Sequence, residues 1–141
     1  MPAAKPTPAQ IVRASADALT IKTGGAVDAS VRLTVADGYH INANPATFAY
    51  LKATELEAAP PAGLNAGKPV YPAPVLKKFQ FAPQPLAVYE HEVTIKLPLR
   101  AAPNVPPGAQ LIHVRAHVQA CDEETCYPPT TVETDIQLTI S

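Results

Sequence analysis

The chain of 141 residues carries two cysteines. They stand in the run Gln119-Ala120-Cys121-Asp122-Glu123-Glu124-Thr125-Cys126-Tyr127-Pro128-Pro129. A thiol pair this close can form a disulfide, exchange it with other thiols, or ligate a soft metal. Which chemistry is open depends on the backbone that carries the two sulfurs.

The lead-in segment alternates strictly. Ile112, Val114, Ala116, Val118 and Ala120 are apolar, while His113, Arg115, His117 and Gln119 are polar. Period two predicts a half-buried strand. Cys121 continues the polar row, so its sulfur is expected to point away from the main core, at an exposed location. Beyond the motif, Val132, Thr134, Ile136, Leu138 and Ile140 alternate with Glu133, Asp135, Gln137 and Thr139. The two segments are expected to form a hairpin, with Cys121 and Cys126 facing each other near its tip. Non-hydrogen-bonded antiparallel pairs bring Cα atoms to about 4.5 Å, within disulfide range.

His113, His117, Cys121 and Cys126 read at first as a zinc ligand set. On a strand rising about 3.3 Å per residue, His113 and Cys121 lie roughly 26 Å apart. They cannot share one ion at bond lengths near 2 Å. No metal and no cofactor is expected. His113 and His117 are expected to be solvated, and His91 to sit in the inward register at the start of its strand.

A disulfide here has two readings. Closing a loop of about six residues contributes roughly 2 kcal/mol in the chain-entropy model, the weak end of the range. A domain of this size buries enough apolar surface to fold without one. The bridge is therefore either a small structural staple or a redox centre, and spacing alone leaves both open.

The rest of the chain narrows the class. Net charge is −1, which gives no electrostatic case for nucleic acid. No apolar run approaches 18 residues, so no membrane-spanning helix is predicted. Seventeen prolines leave few gaps for a long helix. Leu19 and Ile21 mark a short strand. Val27 to Val35 is a clear alternating strand, Tyr50 to Leu56 a weaker one, and Tyr89 to Leu97 another, with Val93, Ile95 and Leu97 inward. Gly24-Gly25 and Asp37-Gly38 are turn signals. Many short strands with proline-rich connections predict an all-β chain, an antiparallel β-sandwich. Residues 1–15 are expected to be a loose tail and residues 16–141 one domain.

Two further stretches attract notice. Asp37 to Pro45 reads as a turn, a short strand and an Asn-Pro exit; on composition alone Tyr39 and Ile41 pack while Asn42 and Asn44 hold turns. Leu64 to Pro85 has little regular pattern, and a connection longer than about 12 residues is often functional. Phe79 and Phe81 lie in it, and on composition alone both read as plain core.

Gln119 to Pro129 resembles the cysteine motif of the DsbD N-terminal domain, the disulfide bond corrector family. Gly38-Tyr39-His40-Ile41-Asn42-Ala43-Asn44 resembles that family's glycine-tyrosine-histidine segment. Val70-Tyr71-Pro72, Lys78-Phe79 and Val88-Tyr89-Glu90 fall where the family has similar residues. The resemblance runs from about Ala18 to Ile140. It implies an immunoglobulin-like sandwich in the periplasm or otherwise exported, working alone or as part of a longer membrane protein. It implies that Tyr39, His40 and Asn42 lie beside the cysteines. In better-known members tyrosines occupy equivalent-looking positions, so the polarity around the sulfurs differs here. A cap-loop aromatic is implied as well, with Phe81 the first candidate and Phe79 the second.

The chemistry implied is thiol–disulfide exchange, an oxidoreductase of the protein-disulfide reductase type. Asp122, Glu123 and Glu124 disfavour a nearby thiolate and no helix N-terminus offsets them, so self-activation is not expected. A passive relay between thioredoxin-like proteins or domains and disulfide-containing acceptors fits better. By the family pattern Cys126, beside Tyr127 and Pro128, forms the mixed disulfide and Cys121 resolves it. Pro128 and Pro129 lack an N–H and cannot extend a ladder there, which keeps the strand edge open for docking. The alternative from another class is an immunoglobulin-like binding or assembly module with a purely structural disulfide.

Overall fold

A computed structural model describes residues 8–48 and 50–141. One helical turn, α1 (Pro8–Ile11), precedes twelve strands. These are β1 (Val12–Ala16), β2 (Leu19–Ile21), β3 (Ala26–Val35), β4 (His40–Asn42), β5 (Glu55–Ala59) and β6 (Leu64–Ala66). They continue with β7 (Val75–Lys77), β8 (Leu86–Tyr89), β9 (Glu92–Ala101), β10 (Gly108–Val118), β11 (Ala120–Cys121) and β12 (Thr130–Ile140).

Two four-stranded sheets face each other, ordered β1-β3-β9-β6 and β2-β12-β10-β5. Their neighbours are antiparallel except β2, which runs parallel to β12. Alternation dictates what each buries. Val31, Leu33, Ile95 and Leu97 of the first sheet and Ile112, Val114, Ile136 and Leu138 of the second form one core with almost no exposed surface. Burying each such side chain contributes about 1.5–3 kcal/mol. The chain is thus an antiparallel β-sandwich, as the alternation predicts.

A third sheet, β11-β4-β8-β7, sits at one end. Ile41 and Tyr89 tie it into the main core, and a second small core of Phe79, Ala82, Leu86 and Val88 belongs to it.

Several boundaries differ from expectation. Of the predicted tail, residues 1–7 lie outside the described residues. Residues 12–16 form β1, which pairs along β3, with Ile11 and Val12 in the core. The strand predicted over Tyr50 to Leu56 is β5, displaced toward the C-terminus. Thr54 explains the shift: its N–H and its hydroxyl both donate to the Asn42 carbonyl, which holds this stretch to β4 and out of the ladder. The strand predicted over Tyr89 to Leu97 is two strands. His91 interrupts them at a positive φ of 61° and is exposed, so it is not in an inward register. β9 then runs through Pro98 to Ala101, and β6 pairs only beyond that proline, with Leu99 to Ala101. The Leu64 to Pro85 connection contains β6 and β7, each three residues long.

Candidate functional site

β10 pairs with β12 over its whole length, from Gly108 opposite Ile140 to Val118 opposite Thr130. The predicted hairpin is therefore present. At its tip Cys121 and Cys126 are disulfide-bonded, with their Cα atoms 3.9 Å apart. The chain does not reach them in one unbroken strand. It leaves β10 at Val118, turns through Gln119 and enters the third sheet as β11, where Ala120 pairs with Ile41 and Cys121 with His40.

Gln119 holds that turn. Its Oε1 accepts from the Lys52 N–H at 2.9 Å and from Asn42 Nδ2 at 3.2 Å, and its Nε2 donates to the Tyr127 carbonyl at 3.2 Å. Asn42 Nδ2 also donates to the Lys52 carbonyl at 3.1 Å. The loop between the cysteines is closed by Asp122. Its Oδ1 accepts from the Glu124 and Thr125 N–H groups, both at 2.8 Å. Its Oδ2 accepts from the Tyr127 hydroxyl at 2.9 Å. That bond to a carboxylate favours the protonated phenol and pushes Tyr127 up to about 12.

The switch of sheet corrects the reading of Cys121. Carried past Gln119, the alternation predicted an exposed sulfur. Cys121 lies outside the main core but is fully buried at 0% exposure, because it faces His40 within the third sheet. Cys126 is half-buried. It lines a cleft of about 350 Å³, together with Tyr50, Leu51, Phe81, Leu86 and Gln119. A larger groove of about 540 Å³, at Leu111 and Leu138 near the far end of the hairpin, has no titratable side chain in its wall.

His40 is 2% exposed and stacks on Phe79, ring centres 4.0 Å apart. Phe79 stacks in turn on Phe81 at 5.4 Å. Phe79 is core, and Phe81 is 39% exposed where it lines the cleft. Burial disfavours the imidazolium and pulls His40 down to about 4; Glu90 opposes the shift, Lys77 adds to it and Asp122 opposes it. Lys77 and Glu90 are themselves paired at 2.8 Å. His40 Nε2 and Asn42 Oδ1 are buried without a hydrogen-bond partner.

The structure thus brings Tyr39, His40, Asn42, Phe79, Phe81 and Tyr127 around the cysteine loop. Tyr39 lies 6.1 Å from Tyr127, ring to ring, and is half-buried. Pro128 is exposed between Cys126 and the start of β12. His113 and His117 lie elsewhere, on the polar face of β10. His113 bonds Asp135 at 2.8 Å and Glu133 at 3.1 Å; His117 bonds Thr131 at 2.8 Å and Glu57 at 3.3 Å. Among the described residues no group of three His, Cys, Asp or Glu could hold a metal ion. Gln119, Leu51 and Tyr50 escaped the sequence reading. Gln119 carried a faint signal, as the residue just before a cysteine after which the alternation ends.

Comparison with known proteins bears on this geometry. The family model "Thiol:disulfide interchange protein DsbD, N-terminal" matches residues 8–138. The crystal structure of the N-terminal periplasmic domain of ScsB from Proteus mirabilis is similar at 14% identity and a TM-score of 0.56, over 91% of this chain and 47% of that one. The chain therefore spans about half the length of that structure. The seventh ScaB type I cohesin from Pseudobacteroides cellulosolvens is similar at 9% identity and a TM-score of 0.55, over 93% and 92%. These likenesses describe the fold, an immunoglobulin-like sandwich. No curated protein matches the sequence.

Proposed function

The chain belongs to the family of DsbD N-terminal domains, and from that premise we propose that it relays electrons by thiol–disulfide exchange through Cys121 and Cys126. The observation that carries this reading is the unequal setting of the two cysteines. Cys126 lines an open cleft and Cys121 is buried behind it. Exchange needs one reachable sulfur and one leaving sulfur. A donor's thiolate attacks Cys126 Sγ, a bond forms between those two sulfurs, and the Cys121–Cys126 bond breaks with its electron pair on Cys121. A second thiolate of the donor then attacks the donor's own sulfur in the mixed disulfide, the donor disulfide forms, and the pair leaves on Cys126, so the domain holds two thiols and the donor is oxidised. Toward a disulfide-bearing acceptor the Cys126 thiolate attacks one acceptor sulfur and the other leaves with the pair. Cys121 then attacks the mixed disulfide at Cys126, the intramolecular bond reforms, and the first acceptor sulfur leaves as a thiolate, reduced.

The domain does not activate its own thiols in this reading. Asp122, Glu123 and Glu124 fill the loop, and negative charge disfavours a thiolate beside it. The activated thiolate comes from a thioredoxin-like protein or domain. Phe81, exposed at the cleft and stacked on Phe79, serves as the cover that a docking partner displaces. Tyr39, Tyr127 and Pro128 shape the rim of the site, and Asn42, buried beneath it, helps hold Gln119. The periplasmic character of the ScsB domain supports an exported location for this chain.

The test is a redox titration of the folded protein against glutathione or dithiothreitol, read by thiol labelling and circular dichroism. We expect one two-electron transition between about −180 and −270 mV with the sandwich intact in both states. A potential below about −300 mV, or unfolding on reduction, makes the bridge structural and leaves a binding or assembly module.

A further inference from the structure

His40 departs from every other histidine in the chain. The other three are exposed or half-exposed and stand beside carboxylates. His40 is 2% exposed, sits directly opposite fully buried Cys121 in the antiparallel β4–β11 pair, and has an Nε2 without a partner. Directly opposed residues of an antiparallel pair point to the same face with Cβ atoms about 4.5–5.5 Å apart. An imidazole is long enough to reach a sulfur across that gap. Leaving a buried polar nitrogen unbonded costs about 1–3 kcal/mol, so its place needs a reason. A disulfide sulfur has no proton to give. A thiol has one.

We propose that His40 is the positioning residue of the reduced site, its Nε2 accepting the hydrogen bond that the Cys121 thiol can donate only after the disulfide opens. The inference rests on the exchange reading above and adds a second residue to it. When a donor thiolate attacks Cys126, the S–S electron pair stays on Cys121 Sγ, which takes one proton from solvent. The donor sulfur is oxidised and Cys121 is reduced. The new S–H then donates to Nε2, with the imidazole proton on Nδ1. The polar atom left unpaired in the disulfide form is thereby satisfied in the dithiol form, which favours reduction. The stack on Phe79 fixes the ring plane for this bond. The charged groups that act on the ring are Lys77 on β7, Glu90 after β8 and Asp122 after β11. Lys77 and Glu90 are paired to each other, so the ring has no strong single counter-charge and stays neutral at pH 7.

The experiment compares wild type, His40→Phe and His40→Gln in equilibrium with glutathione, and records the ring ¹⁵N signals of His40 in wild type in both redox states. Phe keeps the stack and removes the acceptor; Gln restores an acceptor at similar reach. We expect the Nε2 signal to move on reduction. We expect His40→Phe to shift the equilibrium toward the disulfide about fivefold to tenfold, tenfold being about 30 mV, and His40→Gln to recover most of that shift. An unmoved equilibrium in His40→Phe, or an Nε2 signal identical in the two states, overturns the role of His40 while leaving exchange intact. A wild-type bridge that cannot be reduced without unfolding overturns both. Should His40→Phe not fold, the wild-type ¹⁵N comparison decides.

Discussion

Two histidines show how far environment alone separates residues of one type. His40 is buried against Phe79 and titrates near 4; His113 lies on an exposed face between Asp135 and Glu133, whose hydrogen bonds raise it above the ordinary 6.5. Their effects on folding have opposite signs. For His40 the unfolded chain takes up a proton below pH 6.5 and the folded chain does not until about pH 4. Its contribution is complete above pH 6.5 and is lost as pH falls through that window, by up to about 3 kcal/mol. For His113 the contribution is complete below pH 6.5 and is lost as pH rises through its raised folded value. Proton NMR titration of the oxidised protein should therefore give a His113 midpoint above 6.5 and a His40 midpoint far below it. Urea denaturation at pH 7 and pH 4.5 should show wild type losing more stability than His40→Phe. Equal losses in the two proteins would mean that His40 is not neutral in the fold.

At the scale of the element, the decisive feature is the change of sheet at Gln119. β10 and β12 carry eleven residues each and repeat their period often enough to be read directly. β4, β7 and β11 have three, three and two residues. No period can show itself over so short a run: β4 was legible only as a short strand by composition, and β7, β11 and the pairing of the third sheet were not legible. For the same reason the burial of Cys121 was misread: the alternation was carried one sheet too far. The two cysteines and the family motif were legible because they are chemical and local. Of the cleft wall only Phe81 was legible, through the resemblance; Tyr50 and Leu51 were not, since they meet Cys126 only through folding. Gln119 itself should be costly to remove. Gln119→Ala leaves Asn42 Nδ2 with one partner fewer and the Lys52 N–H and Tyr127 carbonyl without this bond, and half-buried groups that lose partners cost about 1–3 kcal/mol. Denaturation of the oxidised variant should register a loss in that range. Its disulfide should also be attacked faster by dithiothreitol, because the turn that carries β11 away from the cleft is no longer tied. A variant as stable and as slowly reduced as wild type would show that the β10 to β11 turn is held by the backbone alone.

The whole molecule separates its stability from its chemistry. The main core spans the two large sheets, whose strands β3, β9, β10 and β12 supply most of the long apolar side chains, and it excludes both cysteines. The disulfide belongs to the small sheet at one end, beside a second core of only four residues. Its loop is short, so its opening releases the unfolded chain by roughly 2 kcal/mol at most in the chain-entropy account. A fold with that much apolar surface buried elsewhere can lose this and remain folded. Local opening should then be confined to the part that has least burial to lose. Hydrogen exchange of the reduced and oxidised forms should show this division. Amides of β3, β9 and the middle of β10 should keep their protection on reduction. Those of β7, β8 and β11, and of residues 122–127, should exchange faster. A partner that docks at the cleft needs just this arrangement, a site that yields on a frame that does not. Protection lost evenly across both large sheets would show instead that the bridge anchors the sandwich, and a domain built that way could not cycle between redox states in service of exchange.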